Sequence, residues 1–139
     1  MAESMVEFEL VSPERLLVAE PVEMVVVPGE EGDFGVLPGH APLISTVRPG
    51  VIHIFSRGQV ARRIFVAGGF AEVVPGRCTV LAEEAMPVDE LDRGSVEQDL
   101  KDAGEDVGSA HDLEEREDAL ARAAIARAKL AALDHPTYQ

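Results

Sequence analysis

Residues 22–56, with the sequence VEMVVVPGEEGDFGVLPGHAPLISTVRPGVIHIFS, decide the fold. Pro-Gly pairs at 28–29, 38–39 and 49–50 separate short runs that are rich in Val, Ile and Phe. Pro-Gly is a turn dipeptide, and β-branched and aromatic residues favour strands. The gaps between the runs are too short for a helical crossover, so the pattern predicts antiparallel strands joined by tight turns.

The same pattern extends on both sides of this stretch. Val6, Phe8 and Leu10 alternate with glutamates, which is typical of a strand with one solvated face. A fourth Pro-Gly pair lies at 75–76. Strands are predicted in this first part of the chain at 6–10, 15–19, 22–27, 43–48, 51–56, 60–66, 70–74 and 77–83. Short strands at such regular spacing favour an antiparallel sandwich or barrel.

The composition changes near Pro87. All five Phe and 15 of the 18 Val precede this residue, whereas ten of the 18 Ala follow it. Because alanine favours helices and valine favours strands, we predict a β-domain over residues 1–87 and a helical domain over residues 88–139. Asp89 is predicted to cap a first helix that ends near Lys101, with a loop over 104–109. A second helix is predicted from about Ser109 to about Leu133.

The apolar face of the second helix is predicted to consist mostly of alanine, with Leu113, Leu120, Ala124, Ala128 and Ala131 at helical spacing. Alanine permits close approach but buries little area per residue. The two helices are therefore expected to form a hairpin that docks with modest energy and can detach.

Charge and composition exclude several classes of function. The 26 acidic and 12 basic residues give a net charge of −14, which repels nucleic acid and anionic lipid. Aromatic residues make up 4% of the chain, so no stacking platform for bases is expected. The single cysteine and a start without signal-peptide features predict a reducing, cytoplasmic compartment.

Motifs for catalysis are not found. The four histidines and Cys78 have no metal-ligand spacing, and the sequence contains no nucleophile elbow, P-loop or dinucleotide fingerprint. Cys78 is interpreted as a buried strand thiol, and His53 as a sheet histidine with its hydrogen bonds satisfied. The glycines of PGEEGDFG at 28–35 form either a turn between strands or, together with Phe34 and the segment that ends at Pro42 and Leu43, a rigid protrusion for protein contact. The carboxylates among these glycines argue against a phosphate cradle.

Two blocks of sequence resemble the epsilon subunit of bacterial F-type ATP synthases. The resemblance rests on GDFGVLPGHAPL at 32–43 with VRPG at 47–50, on VAGGFAEV at 66–73 with PG at 75–76 and TVLA at 79–82, and on the opening FELVSP at 8–13. It covers residues 6 to 87 closely. Over the helical part it is a resemblance of architecture more than of residues.

The resemblance implies a ten-stranded β-sandwich followed by a two-helix hairpin. It further implies a non-catalytic rotor subunit of the central stalk, peripheral to the cytoplasmic face of the bacterial inner membrane, that couples proton translocation to ATP synthesis. Its partners are expected to be the gamma subunit and the c ring, with the catalytic alpha and beta subunits as further candidates for the hairpin. The family pattern assigns Asp33 and His40 to the contact with the c ring and the gamma foot. For His40, a turn in which the imidazole satisfies a backbone carbonyl is the alternative.

In some members of this family the hairpin binds ATP through a motif that resembles [IL]-D-x-x-R-A. The matching segment here is VDELDR at 88–93, in which Asp92 replaces the arginine. An added carboxylate repels a triphosphate, so no cofactor is expected, although Asp89, Arg93, Arg122 and Arg127 are the candidate nucleotide ligands. An ATP-sensing switch and an unrelated β-sandwich adaptor stay open as alternative functions.

Overall fold

The computed structural model of the protein describes residues 5–135 and residue 138. Ten strands form two stacked five-stranded sheets, and two helices follow, as the resemblance predicts. The strands are β1 (Val6–Val11), β2 (Leu16–Val22), β3 (Met24–Gly29), β4 (Gly32–Val36), β5 (Leu43–Thr46), β6 (Gly50–Ser56), β7 (Gln59–Ala67), β8 (Phe70–Val74), β9 (Arg77–Leu81) and β10 (Glu84–Pro87). The helices are α1 (Arg93–Ser109) and α2 (Leu113–Asp134).

The two sheets enclose one aliphatic core. Sheet A has the strand order β2-β1-β9-β8-β5, and sheet B has the order β10-β7-β6-β3-β4. The paired strands are antiparallel, apart from β1 and β9, which run parallel. Val6, Phe8 and Leu10 are at most 1% exposed, so the alternation that predicted β1 also assigns its inward face. The buried members of the core lie between Val6 and Ala82.

Two strands were not predicted from the residues themselves. The strand β4 has the sequence GDFGV, and glycine and aspartate are both depleted in strands. It forms because its backbone pairs along β3, with Val25 opposite Val36 and Gly29 opposite Gly32. The strand β10 is a short edge strand that pairs with β7.

The first helix begins and ends later than predicted. Asp89 lies in a single 3₁₀ turn at Val88–Glu90, and Asp92 is the residue that caps α1, because its carboxylate accepts a hydrogen bond of 2.9 Å from the Ser95 amide. The predicted loop over 104–109 is wrong, since α1 continues to Ser109. Gly104 and Gly108 lie on the exposed side of the helix, where they weaken it without ending it.

The second helix begins at a firm cap. The Asp112 carboxylate accepts a hydrogen bond of 2.8 Å from the Glu115 amide, and the Glu115 carboxylate accepts one of 2.8 Å from the His111 amide. The predicted start near Ser109 is therefore a few residues early. The helix ends at Asp134, just beyond the prediction.

The predicted apolar face of α2 is wrong. Leu113 and Leu120 are 68% and 44% exposed, and the buried residues are Ala119, Ala123 and Ala126. Alanines occur on several sides of this helix, so the sequence offers little contrast between faces. Contact with α1 selects the buried face instead.

The helical hairpin packs against the sandwich at sheet B. The helix α2 packs on the outer face of sheet B at β6 and β7, and most of the other contacts of the hairpin are between its own helices.

No described helix is long and apolar enough to cross a bilayer.

Candidate partner-contact surface

The predicted acidic loop is the tip of a β-hairpin. Gly29 and Gly32 pair across the turn formed by Glu30 and Glu31, and Asp33 is the second residue of β4. Gly29 is required here, because a Cβ at this position would lie 2.8 Å from the Gly32 carbonyl oxygen and 2.9 Å from the Phe34 ring. The Glu30 amide donates a hydrogen bond of 3.0 Å to the Thr46 carbonyl oxygen, which ties the tip to β5.

The Asp33 carboxylate is engaged within the protein. Arg48 Nη2 lies 2.5 Å from Asp33 Oδ1, and Arg48 Nη1 donates to the Gly29 carbonyl oxygen. The Tyr138 hydroxyl donates a hydrogen bond of 3.0 Å to Asp33 Oδ2. This bond and partial desolvation raise the pKa of the Tyr138 phenol above its usual value. Asp33 therefore connects the tip of the β3–β4 hairpin to Tyr138, which follows α2.

Phe34 does not protrude. Its half-buried ring packs against the sandwich core, and its backbone lies opposite Val27 of β3. The side chain supports the hairpin tip from inside, which is the role of an anchor more than of a contact residue.

His40 and Pro42 lie in the loop that follows β4. The His40 amide donates to the Leu37 carbonyl oxygen over 3.1 Å, and Gly39 has a φ of +84°, so residues 37–40 form a type II turn with Pro38 at its second position. His40 Nδ1 lies 2.6 Å from the Ala41 carbonyl oxygen, which is the contact expected of the alternative interpretation. Pro42 is exposed. Asp33 and this loop lie at opposite ends of β4, which spans about 10 Å from Asp33 to Val36.

An exposed apolar surface on sheet A was not predicted. Phe70 pairs directly with Leu81 and with Thr46, and Ile44 lies two residues before Thr46 on the same face. Ile44 is 71% exposed and Phe70 is 46% exposed. We call the exposed large apolar residues on this outer face the sheet A strip: Leu16, Ile44, Phe70, Val74 and Leu81. Outward positions of predicted strands that carry Ile, Phe or Leu instead of polar residues are the sequence signal that could have found it.

The four candidate nucleotide ligands are not brought together. Arg93 pairs with Asp134 at the base of the hairpin, whereas Arg122 lies 3.0 Å from Asp106 and 3.1 Å from Asp118, about 18 Å further along the helices. Asp89 lines a different recess. Arg127 is exposed. Carboxylates dominate the surroundings of Arg122, because Glu84, Asp99 and Asp102 line the same recess.

Two buried titratable groups lie in the sandwich. Burial raises the pKa of the Cys78 thiol to about 12, so the interpretation as a buried strand thiol is confirmed. His53 is a buried residue of β6, as predicted, but its Nδ1 has no hydrogen-bond partner among the described residues, so its hydrogen bonds are not fully satisfied. Burial and the charge of Arg63 lower the pKa of His53, while Asp33 opposes them. Within residues 5–135 and 138, no group of three His, Cys, Asp or Glu side chains could hold a metal ion.

Comparisons with known proteins agree with this architecture. Residues 5–88 match the family model of the beta-sandwich domain of the ATP synthase Delta/Epsilon chain, and residues 92–138 match that of the C-terminal domain of the ATP synthase epsilon chain. The ATP synthase epsilon chain of Rhodospirillum rubrum is 58% identical over 132 residues, which cover 95% of this protein and 98% of that one. The chain belongs to the ATP synthase epsilon chain family.

A second relative and a solved structure extend the comparison. The epsilon chain of Rhodospirillum centenum is 57% identical over 129 residues, which cover 89% of this protein and 88% of that one. One polypeptide in the cryo-EM structure of the Euglena gracilis mitochondrial ATP synthase OSCP/F1/c-ring matches with a TM-score of 0.81 and 26% identity. That match covers 94% of this epsilon subunit and 82% of the Euglena polypeptide. The protein is thus an epsilon subunit whose fold matches a component of an F1/c-ring assembly.

Proposed function

We propose that this epsilon subunit is a non-catalytic rotor subunit of the central stalk, which couples proton translocation through the c ring to ATP synthesis in the catalytic head. Membership of the family and the fold shared with a component of an F1/c-ring assembly support the proposal. The expected location is peripheral, on the cytoplasmic face of the bacterial inner membrane. The physical task is to hold a docking surface rigidly, for which the backbone hydrogen bonds of two sheets are suited.

The observation that carries the proposal is the sheet A strip. A strip of exposed Ile, Phe, Val and Leu on one broad face is typical of a protein-binding surface. On the opposite broad face, α2 already packs against β6 and β7 of sheet B. We assign the sheet A strip to the gamma subunit, because a rotor subunit needs a permanent and largely apolar attachment.

The tip of the β3–β4 hairpin and the loop after β4 supply two further proposed contacts. Asp33, His40 and Pro42 are proposed to contact the c ring and the gamma foot. Phe34 supports the tip of the β3–β4 hairpin from inside the sandwich. Because Asp33 and His40 lie at opposite ends of β4, the proposal gives them separate contacts instead of one shared patch. Charged contacts of this kind weaken as salt rises.

The gamma attachment is tested by co-purification. Ile44→Asp together with Phe70→Asp places two charges on the sheet A strip, and we expect the tagged epsilon subunit to lose gamma. Leu113→Asp is the matched control, since Leu113 is 68% exposed but lies on α2. Equal retention of gamma by both variants would contradict the assignment.

The contacts proposed for Asp33 and His40 are tested together on membranes. Replacing Asp33 with Asn and His40 with Ala is expected to weaken attachment of the catalytic head to the membrane, while the circular dichroism of the isolated subunit stays unchanged. Undiminished ATP-driven proton pumping by this double variant would argue against both contacts.

Nucleotide sensing is not part of the proposal. The separation of the candidate ligands and the carboxylates around Arg122 both oppose capture of a triphosphate. We expect calorimetry with Mg-ATP to give no saturable heat. Binding at millimolar or lower concentration that is lost in Arg122→Gln would favour the sensor instead.

A further inference from the structure

The helical hairpin is held to the sandwich by few apolar contacts. The buried alanines of α2 belong to a helix that contacts α1 far more than the sandwich, and β6 and β7 are the strands that receive α2 directly. Lys129 adds a charged contact to this interface, with Nζ 2.5 Å from Glu84 and 5.6 Å from the centre of the Phe65 ring. A small and partly polar interface of this kind is sensitive to any single additional anchor.

Tyr138 is such an anchor. Its ring meets His53 edge-on with centroids 4.7 Å apart, and Phe55 with centroids 6.3 Å apart. Its hydroxyl donates to Asp33, and its backbone carbonyl oxygen accepts a hydrogen bond of 2.6 Å from Arg63 Nη2.

These contacts define a receptor on the outer face of sheet B. Asp33 belongs to β4, His53 and Phe55 to β6, and Arg63 to β7, so one residue that follows α2 is bound across the sheet from β7 to β4. The rings of His53 and Phe55 form an aromatic wall, the Asp33 carboxylate accepts the hydrogen bond of a phenol, and the Arg63 guanidinium donates to a peptide carbonyl oxygen. That combination recognises a tyrosine within a peptide, since phenylalanine leaves the Asp33 acceptor unused.

We propose that this receptor binds the protein's own Tyr138 and thereby latches the helical hairpin onto the sandwich. Tyr138 comes shortly after Asp134, the last residue of α2, so its capture restrains the last turn of that helix. When the latch opens, the hairpin retains its helix–helix contacts but loses the aromatic, phenol and carbonyl anchors together.

The first test reads the contact itself. Tyr138 is the only tyrosine and the sequence has no tryptophan, so phenol absorbance titrates this residue alone. We expect the wild-type phenol to titrate above its usual value, and Asp33→Asn to return it toward that value. Glu31→Gln, which alters a nearby exposed carboxylate at the hairpin tip, is the control and should leave the titration unchanged. An ordinary phenol titration in the wild type would overturn the proposal.

The second test reads the latch by hydrogen exchange in the full-length protein. Tyr138→Phe removes one hydrogen bond and is expected to speed amide exchange in the last two turns of α2 about fivefold. Tyr138→Ala removes the ring as well, and we expect acceleration of more than about tenfold there, with the strands of the core unaffected. Exchange in α2 that matches wild type in Tyr138→Ala would overturn the latch even if the titration shows the contact.

The shared carboxylate gives a consequence that rests on the proposed function. If the c ring takes up Asp33, the closed latch and the ring contact exclude each other, so Tyr138→Phe should strengthen binding of the subunit to a purified gamma–c ring complex about threefold to fivefold. Unchanged binding together with accelerated exchange would leave the latch standing and remove Asp33 from the proposed ring contact.

Discussion

At the scale of single residues, backbone geometry and burial decide which side chains the fold tolerates. Gly69 lies in the turn between β7 and β8, and Gly76 in the turn between β8 and β9. Both have positive φ, +91° and +78°, but they differ in what surrounds them. A Cβ at Gly69 would lie 1.8 Å from the Leu81 carbonyl oxygen, whereas a Cβ at Gly76 would meet no atom within 4 Å.

This difference gives a matched pair of substitutions. Gly76→Ala should cost about 1–2 kcal/mol in the free energy of unfolding, which is the cost of a left-handed backbone for an L-residue. Gly69→Ala should cost more than about 4 kcal/mol, because the strand carrying Leu81 must move. Denaturant unfolding of both variants measures the two values, and equal losses would show that sterics at Gly69 are unimportant.

His53 makes stability depend on pH. Its pKa is lowered in the folded protein, mainly by burial and then by Arg63, while Asp33 opposes the shift and the ring of Tyr138 covers the imidazole. The unfolded chain therefore binds a proton more readily than the folded protein, and stability falls as pH drops below the unfolded value of 6.5.

We expect His53→Gln to remove this dependence. In the wild type the contribution of His53 to the slope is at most about 1.4 kcal/mol per pH unit. Urea unfolding at several pH values between about 5 and 7 measures the slope. A slope in His53→Gln as steep as in the wild type would assign the acid sensitivity to other groups.

At the scale of elements, the sequence predicted strands better than helix limits and faces. The alternation of Val6, Phe8 and Leu10 with glutamate predicts a strand with one buried face, and β1 is found there. The strand β4 could not be predicted from GDFGV, because its stability comes from pairing with β3 and not from its own residues.

The buried face of α2 could not be predicted either. Alanine provides no contrast in size or polarity between Ala119, which is buried, and Ala124, which is exposed. For the candidate site, the sequence located the Asp33 tip and the His40 turn. The contact between Tyr138 and Asp33 could not be predicted, because the two residues are 105 positions apart in the sequence.

The glycines of α1 offer a prediction at this scale. Gly104 and Gly108 are exposed helix residues, and a Cβ on either would meet no atom within 4 Å. Gly104→Ala should stabilise the protein by about 0.5–1 kcal/mol, because alanine loses less backbone entropy than glycine when the helix forms, and Gly108→Ala, in the last turn, should stabilise it by less. Gly94→Ala is the control in the first turn of the helix, where the gain should be smaller. Thermal unfolding measures the effect, and lower midpoints in the Gly104 and Gly108 variants would contradict it.

At the scale of the whole molecule, stability and charge are divided unequally. The core residues lie between Val6 and Ala82, so the sandwich does not need the helices to complete its interior. The sequence from 88 onward carries 14 acidic and six basic residues, compared with 12 and six before it. The smaller part therefore has the larger excess of negative charge, and its docking beside the acidic sandwich should improve as salt screens the repulsion.

Removal of residues 88–139 is predicted to leave a folded sandwich. The change uncovers Phe65, which is 0% exposed in the full-length protein but lies outside the core cluster. In the truncated protein, Phe65→Thr should change the free energy of unfolding by less than about 1 kcal/mol, whereas Phe8→Thr should lower it by about 3–5 kcal/mol. Denaturant unfolding of the truncated variants distinguishes the two positions, and failure of the truncated protein to fold would make the hairpin a structural requirement.

The parallel pairing of β1 with β9 has a consequence for the order in which the molecule is assembled. Phe8 lies opposite Cys78, so during synthesis β1 gains its central neighbour β9 only after about seventy further residues have been added. Until then, β1 can pair only with β2, and sheet A lacks its central strand β9. Closure of the sandwich and binding of Tyr138 both require residues that are synthesised after β1. Until β9 pairs with β1, the Val, Phe and Leu side chains of β1 stay exposed and must avoid non-native contacts.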